Sequence, residues 1–167
     1  PLDQVIYNLV FEENNLGTWF DFNADSNWFV PDLNLSDNSM FKWFVYSMDL
    51  NGSNSFSDSS VFYTDEFPES PGSFSTLYPL NQSVHDQSEI EFIWNRPLDP
   101  DPIETLHYQV IYTTSYDDWL SLTNYISSEI IEEDTSMTLQ LENDTRYYWG
   151  VKVIDSDGFS LLGNDSL

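Results

Sequence analysis

The stretch that most restricts how this chain can fold runs from Asn143 to Gly158, NDTRYYWGVKVIDSDG. Tyr147, Trp149, Val151 and Val153 alternate with Tyr148, Gly150, Lys152 and Ile154. Successive side chains of a β-strand leave opposite faces, so this period of two predicts a strand with one face buried. A polar turn precedes it and Asp155-Ser156-Asp157-Gly158 closes it, residue types that punctuate strands. Just upstream Leu139 and Leu141 also alternate, and Leu141, Asn143, Thr145 and Tyr147 carry the register forward.

The same pattern occurs earlier in the chain. Phe41, Trp43 and Val45 match Tyr147, Trp149 and Val151, and Asp49-Leu50-Asn51-Gly52 matches the Asp155 turn. Leu106 to Tyr112 matches Val5 to Phe11, with Tyr108 on Tyr7, Val110 on Leu9 and Tyr112 on Phe11; Trp119 and Trp19 follow at comparable places. Repetition at this scale means two copies of one structural unit. Phe67 to Gly72, FPESPG, separates them, and its prolines predict a short, stiff connection. The second copy has a front end that the first lacks: an edge strand at Leu77-Tyr78 stopped by Pro79, then Ile90, Phe92 and Trp94 alternating before the loop NRPLDPDPIE. Helical periodicity is nowhere sustained over ten residues, although residues 116–131 leave room for one helical turn.

The order of these elements across residues 75–160 resembles a fibronectin type III repeat. Tyr147 stands where such sandwiches place a Tyr that buries its ring and returns its hydroxyl to nearby backbone; the matching Phe41 lacks the hydroxyl. The Tyr147-Tyr148-Trp149 run followed by Asp-x-Asp-Gly is similar to repeats of bacterial surface and secreted proteins. The resemblance implies an all-β fold of two tandem fibronectin type III-like (immunoglobulin-like) β-sandwiches. An incomplete first repeat, without its opening strands, would take residues 1–67, a linker 68–72, and the second repeat 73–167. It also implies a non-catalytic spacer or protein-interaction module of a longer exported protein, extracellular or on the cell surface, with neighbouring domains of the same chain as partners. A carbohydrate- or host-protein-binding module is the alternative, and a segment of a secreted hydrolase the third.

Charge narrows the partners. Four basic residues face 29 acidic ones, a formal net charge of -25. Such a surface repels nucleic acid and anionic lipid and attracts cations. No apolar run approaches the roughly 20 residues of a membrane span, so no membrane insertion is expected of this segment. With no Cys, disulfides and thiolate metal sites are excluded. The chain opens at the entrance to the first copy's third strand and reads as a piece of something longer. A first repeat without its front would leave Tyr7, Leu9, Trp43 and Val45 bare, an open side through which two copies are expected to associate.

Catalytic patterns are weak. His85 falls in a polar turn and His107 on the outer face of a strand, both expected to face solvent, and neither lies in a nucleophile or zinc motif. No carboxylate pair stands out for glycoside hydrolysis. Cation binding has more to recommend it, and no cofactor is required. Asp99 and Asp101 follow the Trp94 strand and Asp155 and Asp157 follow the Trp149 strand; in the fibronectin type III topology those two loops emerge at the same end. Calcium takes six to eight oxygens, several from carboxylates, so these four are the candidate calcium ligands, at millimolar affinity, with Glu132, Glu133 and Asp134 adding charge nearby. Asp is also an ordinary turn former, and in such loops it caps turns more often than it binds metal. Trp19, Trp28 and Trp119 lie outside the strong strands, where they either stack on sugars or cover a sheet. The expected core of the second repeat is Ile90, Phe92, Trp94, Tyr108, Val110, Tyr112, Leu139, Leu141, Tyr147, Trp149, Val151 and Val153.

Overall fold

A computed structural model describes residues 5–15, the backbone of 19–24, residues 34–164 and the backbone of 165. Contacts between Cα atoms divide the chain into two compact units, Pro1–Phe67 and Pro68–Leu167.

The described strands of the first unit are β1 (Val5–Glu13), β2 (Trp19–Ala24), β3 (Ser39–Asp49), β4 (Asn54–Phe56) and β5 (Ser60–Thr64). All five form one antiparallel sheet in the order β2-β1-β3-β4, with β5 also on β3. Pairing of Leu9 with Val45 and Phe11 with Trp43 fixes the register, so Tyr7, Leu9 and Phe11 share a face with Phe41, Trp43 and Val45. On that face Phe62 stacks on Phe41 at 5.2 Å and meets Phe11 edge-on at 6.2 Å, and Phe11 and Phe41 are buried. Tyr7, Leu9, Trp43 and Val45 are half-buried rather than bare. The correction has a physical reason: large side chains opposite one another across strands shield each other from water. Trp28 and the side chain of Trp19 lie outside the described residues.

The second unit contains β6 (Ser75–Tyr78), β7 (Glu89–Trp94), β8 (His107–Thr113), α1 (Tyr116–Ser121), β9 (Ile126–Ser127), β10 (Ile131–Glu132), β11 (Ser136–Gln140), β12 (Tyr148–Ile154), β13 (Ser160–Leu162) and β14 (Asn164–Asp165). One sheet runs β11-β7-β6-β14; the other runs β10-β8-β12-β13, with β9 also on β8. Tyr112 pairs with Trp149, Val110 with Val151 and Tyr108 with Val153, while Ile90 pairs with Leu139 and Phe92 with Met137. The inner faces therefore carry the residues that the alternation predicts. Phe92, Trp94, Tyr108, Val110, Val151 and Val153 are almost wholly buried, and Tyr112, Leu139, Leu141 and Trp149 pack on them part-exposed. Trp149 meets Phe92 edge-on at 4.8 Å, which sets its ring on the core side. Phe74, Leu106 and Met137 belong to the core as well; Leu106 and Met137 carry the alternations of β8 and β11 one step further toward the N-terminus, while Phe74 lies before β6 where alternation gives no signal.

Local devices fix the edges of this unit. The Glu142 N–H donates to the Tyr147 hydroxyl oxygen at 3.0 Å, and the Tyr147 ring lies against Tyr112 at 6.0 Å. The corner expected from the sequence is present with its donor reversed, because the turn offers the hydroxyl an N–H. Helix α1, inside the stretch that left room for a turn, is N-capped by Ser115, whose side chain accepts from the Asp118 N–H at 3.2 Å. Its Trp119 ring lies where a Cβ on Gly150 would come within 2.9 Å of it. A side chain at Gly150 would lift Trp119 off the sheet. Residues 68–72 are bound to this unit: the Gly72 N–H donates to the Leu98 carbonyl at 2.7 Å and the Glu69 N–H to the Asp101 carboxylate at 3.0 Å.

Candidate metal centre

Two loops meet at one end of the second sandwich. The first, between β7 and β8, carries Asp99, Asp101 and Glu104; the second, between β12 and β13, carries Asp155 and Asp157. They are tied together where the Ser156 N–H donates to Glu104 Oε2 at 3.0 Å.

Each of three aspartates engages one oxygen and leaves the other without a partner among the described residues. Asp99 Oδ1 accepts from the Asp101 N–H at 3.2 Å, Asp101 Oδ2 from the Glu69 N–H at 3.0 Å, and Asp155 Oδ1 from the Phe159 N–H at 2.8 Å. The remaining oxygens, Asp99 Oδ2, Asp101 Oδ1 and Asp155 Oδ2, are buried with no hydrogen-bond partner among the described residues. Asp101 is only 3% exposed and Asp155 only 4%. A buried polar atom left unpaired is costly, and a carboxylate oxygen more so than a neutral one. Turn capping therefore accounts for one oxygen of Asp99 and of Asp155, and the distant Glu69 N–H for one oxygen of Asp101; the other oxygen of each is left unexplained.

Carboxylate oxygens of Asp101, Glu104 and Asp157 lie within 4.8 Å of one another. That is about twice a calcium–oxygen distance of 2.3–2.6 Å, the spacing of ligands around one ion. Loss of hydration and the negative charges of Asp101, Asp155 and Glu104 push the Asp99 carboxyl above the usual range, against the hydrogen bond from the Asp101 N–H. Asp157 is pushed up in the same way by desolvation and by Glu104, Asp101 and Asp155. The donor set is all oxygen, which suits a hard divalent cation and offers zinc no nitrogen or sulfur.

The four candidate aspartates are thus drawn to one pole, together with Glu104, which the sequence reading did not single out. Its place in Asp99-x-Asp101-x-x-Glu104 was the available signal. Glu133 does different work: it is ion-paired with Arg96 and accepts from the Leu106 N–H at 2.8 Å. The matched turn of the first unit is an internal contrast. Asp49 Oδ1 accepts from the Asn51 and Ser53 N–H groups at 2.8 and 2.9 Å, and the hydrogen bond from Ser53 leads in holding its carboxyl below the usual range. Asp49 is a turn cap; Asp155 is a cap with an oxygen to spare.

His85 is half-buried rather than solvent-facing, because its ring bridges Tyr78 at 3.3 Å and Ser83 at 2.8 Å in the β6–β7 turn. Beside this Ser–His contact stands a phenol where a nucleophile's base would need a carboxylate to orient it. His107 is half-buried in β8. A cavity of about 800 Å³ lies between the β6–β7 and β11–β12 connections, with Phe92, Trp119, Tyr147 and Trp149 among its walls and Asn81, Gln82 and Asn143 among its polar lining. Among the described residues no helix is long and apolar enough to cross a membrane.

These sheets define the class: an all-β, immunoglobulin-like architecture in which the second unit has the strand order of a fibronectin type III sandwich. No family profile matches the chain, and no curated protein does. Among solved structures, the crystal structure of the chicken CNTN1 FN1-FN3 domains is similar at 17% identity and a TM-score of 0.33, over 97% of this chain and 57% of that one. The chain spans little more than half of that neighbour's length, and the fold rests on the sheet order described above.

Proposed function

We propose that this chain is a non-catalytic spacer or protein-interaction module of a longer, exported bacterial surface protein, and that its second sandwich holds a calcium ion between the β7–β8 and β12–β13 loops. The observation that carries the metal is the buried Asp101 carboxylate, with one oxygen unpartnered among the described residues, grouped with Glu104 and Asp157 within 4.8 Å. Asp99 and Asp155, each with an unpartnered buried oxygen of its own, add charge beside it. The partners this role implies are neighbouring domains of the same chain. A fold of this type works by placing other domains at set distances, and a cation at a loop pole stiffens it by cancelling repulsion that would otherwise spread the loops. Calorimetric titration tests the metal: calcium binds the native chain in the millimolar range and leaves the Asp99→Asn, Asp157→Asn double variant untouched. Equal heats in both, or none in the native chain at 10 mM calcium (about ten times a millimolar Kd), would remove the metal.

One observation favours the alternative of a carbohydrate-binding module. The cavity beside Trp119 and Trp149 combines flat aromatic walls with the amides of Asn81, Gln82 and Asn143, the chemistry that sugars use. Against it, the Trp119 ring already covers Gly150. A glycan array with the native chain and Trp119→Ala separates the readings, since only the lectin reading gives binding that the variant loses.

A further inference from the structure

The carboxylate of Asp101 faces two ways. Oδ2 accepts the Glu69 N–H at 3.0 Å, Oδ1 is buried without a partner among the described residues, and the carboxylate as a whole belongs to the group formed with Glu104 and Asp157. A carboxylate is planar and rigid, so whatever fixes Oδ1 also fixes Oδ2. The loop that carries Asp101 holds the 68–72 segment at a second point, through the Gly72 N–H and the Leu98 carbonyl at 2.7 Å. The fit there is close: a Cβ on Gly72 would lie 2.8 Å from that carbonyl oxygen. Pro71 and Pro97 are both buried beside it. The segment before β6 therefore hangs on the acidic loop by two hydrogen bonds, at Leu98 and Asp101, one on each side of Asp99.

We infer that occupancy of the metal pole controls how firmly residues 68–72 are held to the second sandwich, with Asp101 as the positioning residue that links the two. Without a cation, Asp101 sits among like charges with one desolvated oxygen. Its relief is to rotate that oxygen toward water, which withdraws Oδ2 from Glu69. Arg96 gives no relief nearby, since it is engaged with Glu133. With calcium bound, Oδ1 is anchored on the ion and Oδ2 is presented to Glu69 in a fixed direction. The ion thus acts as a clamp on the segment leading into the sandwich, and metal concentration becomes a control on its stiffness.

This inference rests on the calcium reading, and the experiment keeps the two apart. Amide hydrogen exchange is followed residue by residue in the full chain, in EDTA and in 10 mM calcium, beside calorimetry on the same samples. If opening of the Glu69 amide requires release of the ion, its protection rises by 1 + [Ca]/Kd, about tenfold for a millimolar Kd. Asp157→Asn removes a carboxylate that does not touch Glu69, so it keeps the EDTA exchange rate and loses the calcium-dependent gain. Asp101→Asn keeps an acceptor for Glu69 and likewise loses the gain. Calcium heats without any change at Glu69 overturn the clamp and leave the metal site standing. Absence of calcium heats overturns both, and a calcium gain at Glu69 that survives Asp157→Asn overturns the route through this cluster.

Discussion

Asp99→Asn should change the sign of its effect on stability when calcium is added. The amide keeps the shape of the side chain and an oxygen for the Asp101 N–H, and it removes one of the clustered charges. Desolvation and neighbouring carboxylates raise the folded-state pKa of Asp99. The folded chain then binds that proton more tightly than the unfolded chain, so stability falls as pH rises from the ordinary carboxylate value, 3.8, through the raised folded value, and the cost is fully present at neutral pH. Asp99 is half-buried, and solvent screening holds that cost to about 0.5 kcal/mol. In EDTA at pH 7.5 the variant should therefore unfold roughly 2–4 °C higher, at 4–8 °C per kcal/mol for a unit of this size. In 10 mM calcium the native chain gains RT ln 11, about 1.4 kcal/mol for a millimolar site, and the variant forgoes it. The net loss is about 0.9 kcal/mol, or roughly 4–7 °C lower. Tryptophan-fluorescence melts in the two buffers, repeated at pH 4.5 where the EDTA difference should shrink, read this directly. A variant that melts on the same side of the native chain in both buffers refutes the account of Asp99.

Tyr147→Phe keeps the ring against Tyr112 and deletes the acceptor for the Glu142 N–H; a cost of about 1 kcal/mol is expected by urea unfolding, and no cost would mean the corner contributes nothing. Gly150→Ala places a methyl 2.9 Å from the Trp119 ring, so a loss of about 1–3 kcal/mol from overpacking is expected, with a red shift of tryptophan emission as that ring moves toward water; an unperturbed spectrum would show that Trp119 is not seated there. Two copies are expected to pair through the first unit's sheet once salt shortens screening to about 3 Å at 1 M; sedimentation should show dimer growing with sodium chloride, and a monomer at every salt concentration excludes the pairing.

Where one face of a strand is buried the sequence announces it, and this chain does so at Tyr108–Val110–Tyr112 and Trp149–Val151–Val153. Phe74, Leu106 and Met137 belong to the same core. Phe74 lies in the irregular run before β6, outside any alternation, whereas Leu106 and Met137 extend the alternations Tyr108–Val110–Tyr112 and Leu139–Leu141 by one more residue at their N-terminal ends. The site divides in the same way. Loop position and residue type pointed to Asp99, Asp101, Asp155 and Asp157, but burial separates a ligand from a cap, and burial is a property of the assembled loops. Glu104 escaped because its partner, the Ser156 N–H, is 52 residues away in the chain. His85 is covered for a related reason: Tyr78 and Ser83 fold back on it within one turn.

The internal repeat turns that distinction into a stoichiometry. Asp49 matches Asp155 and Asn51 matches Asp157, so sequence alignment alone would offer a second site one substitution away. The structure argues otherwise. Asp49 Oδ1 is engaged by two N–H groups of its own turn, and the carboxylate groups close enough to share an ion do not include Asp49 among the described residues. A single turn supplies at most two carboxylates, far short of the six to eight oxygens calcium takes; in the second unit the β7–β8 loop adds Asp99, Asp101 and Glu104. Calorimetry should therefore give a stoichiometry near one calcium per chain, and Asn51→Asp should leave both stoichiometry and affinity unchanged. A second equivalent of calcium in that variant would mean that the turn alone suffices, and that the burial of Asp101 and Asp155 is incidental to binding.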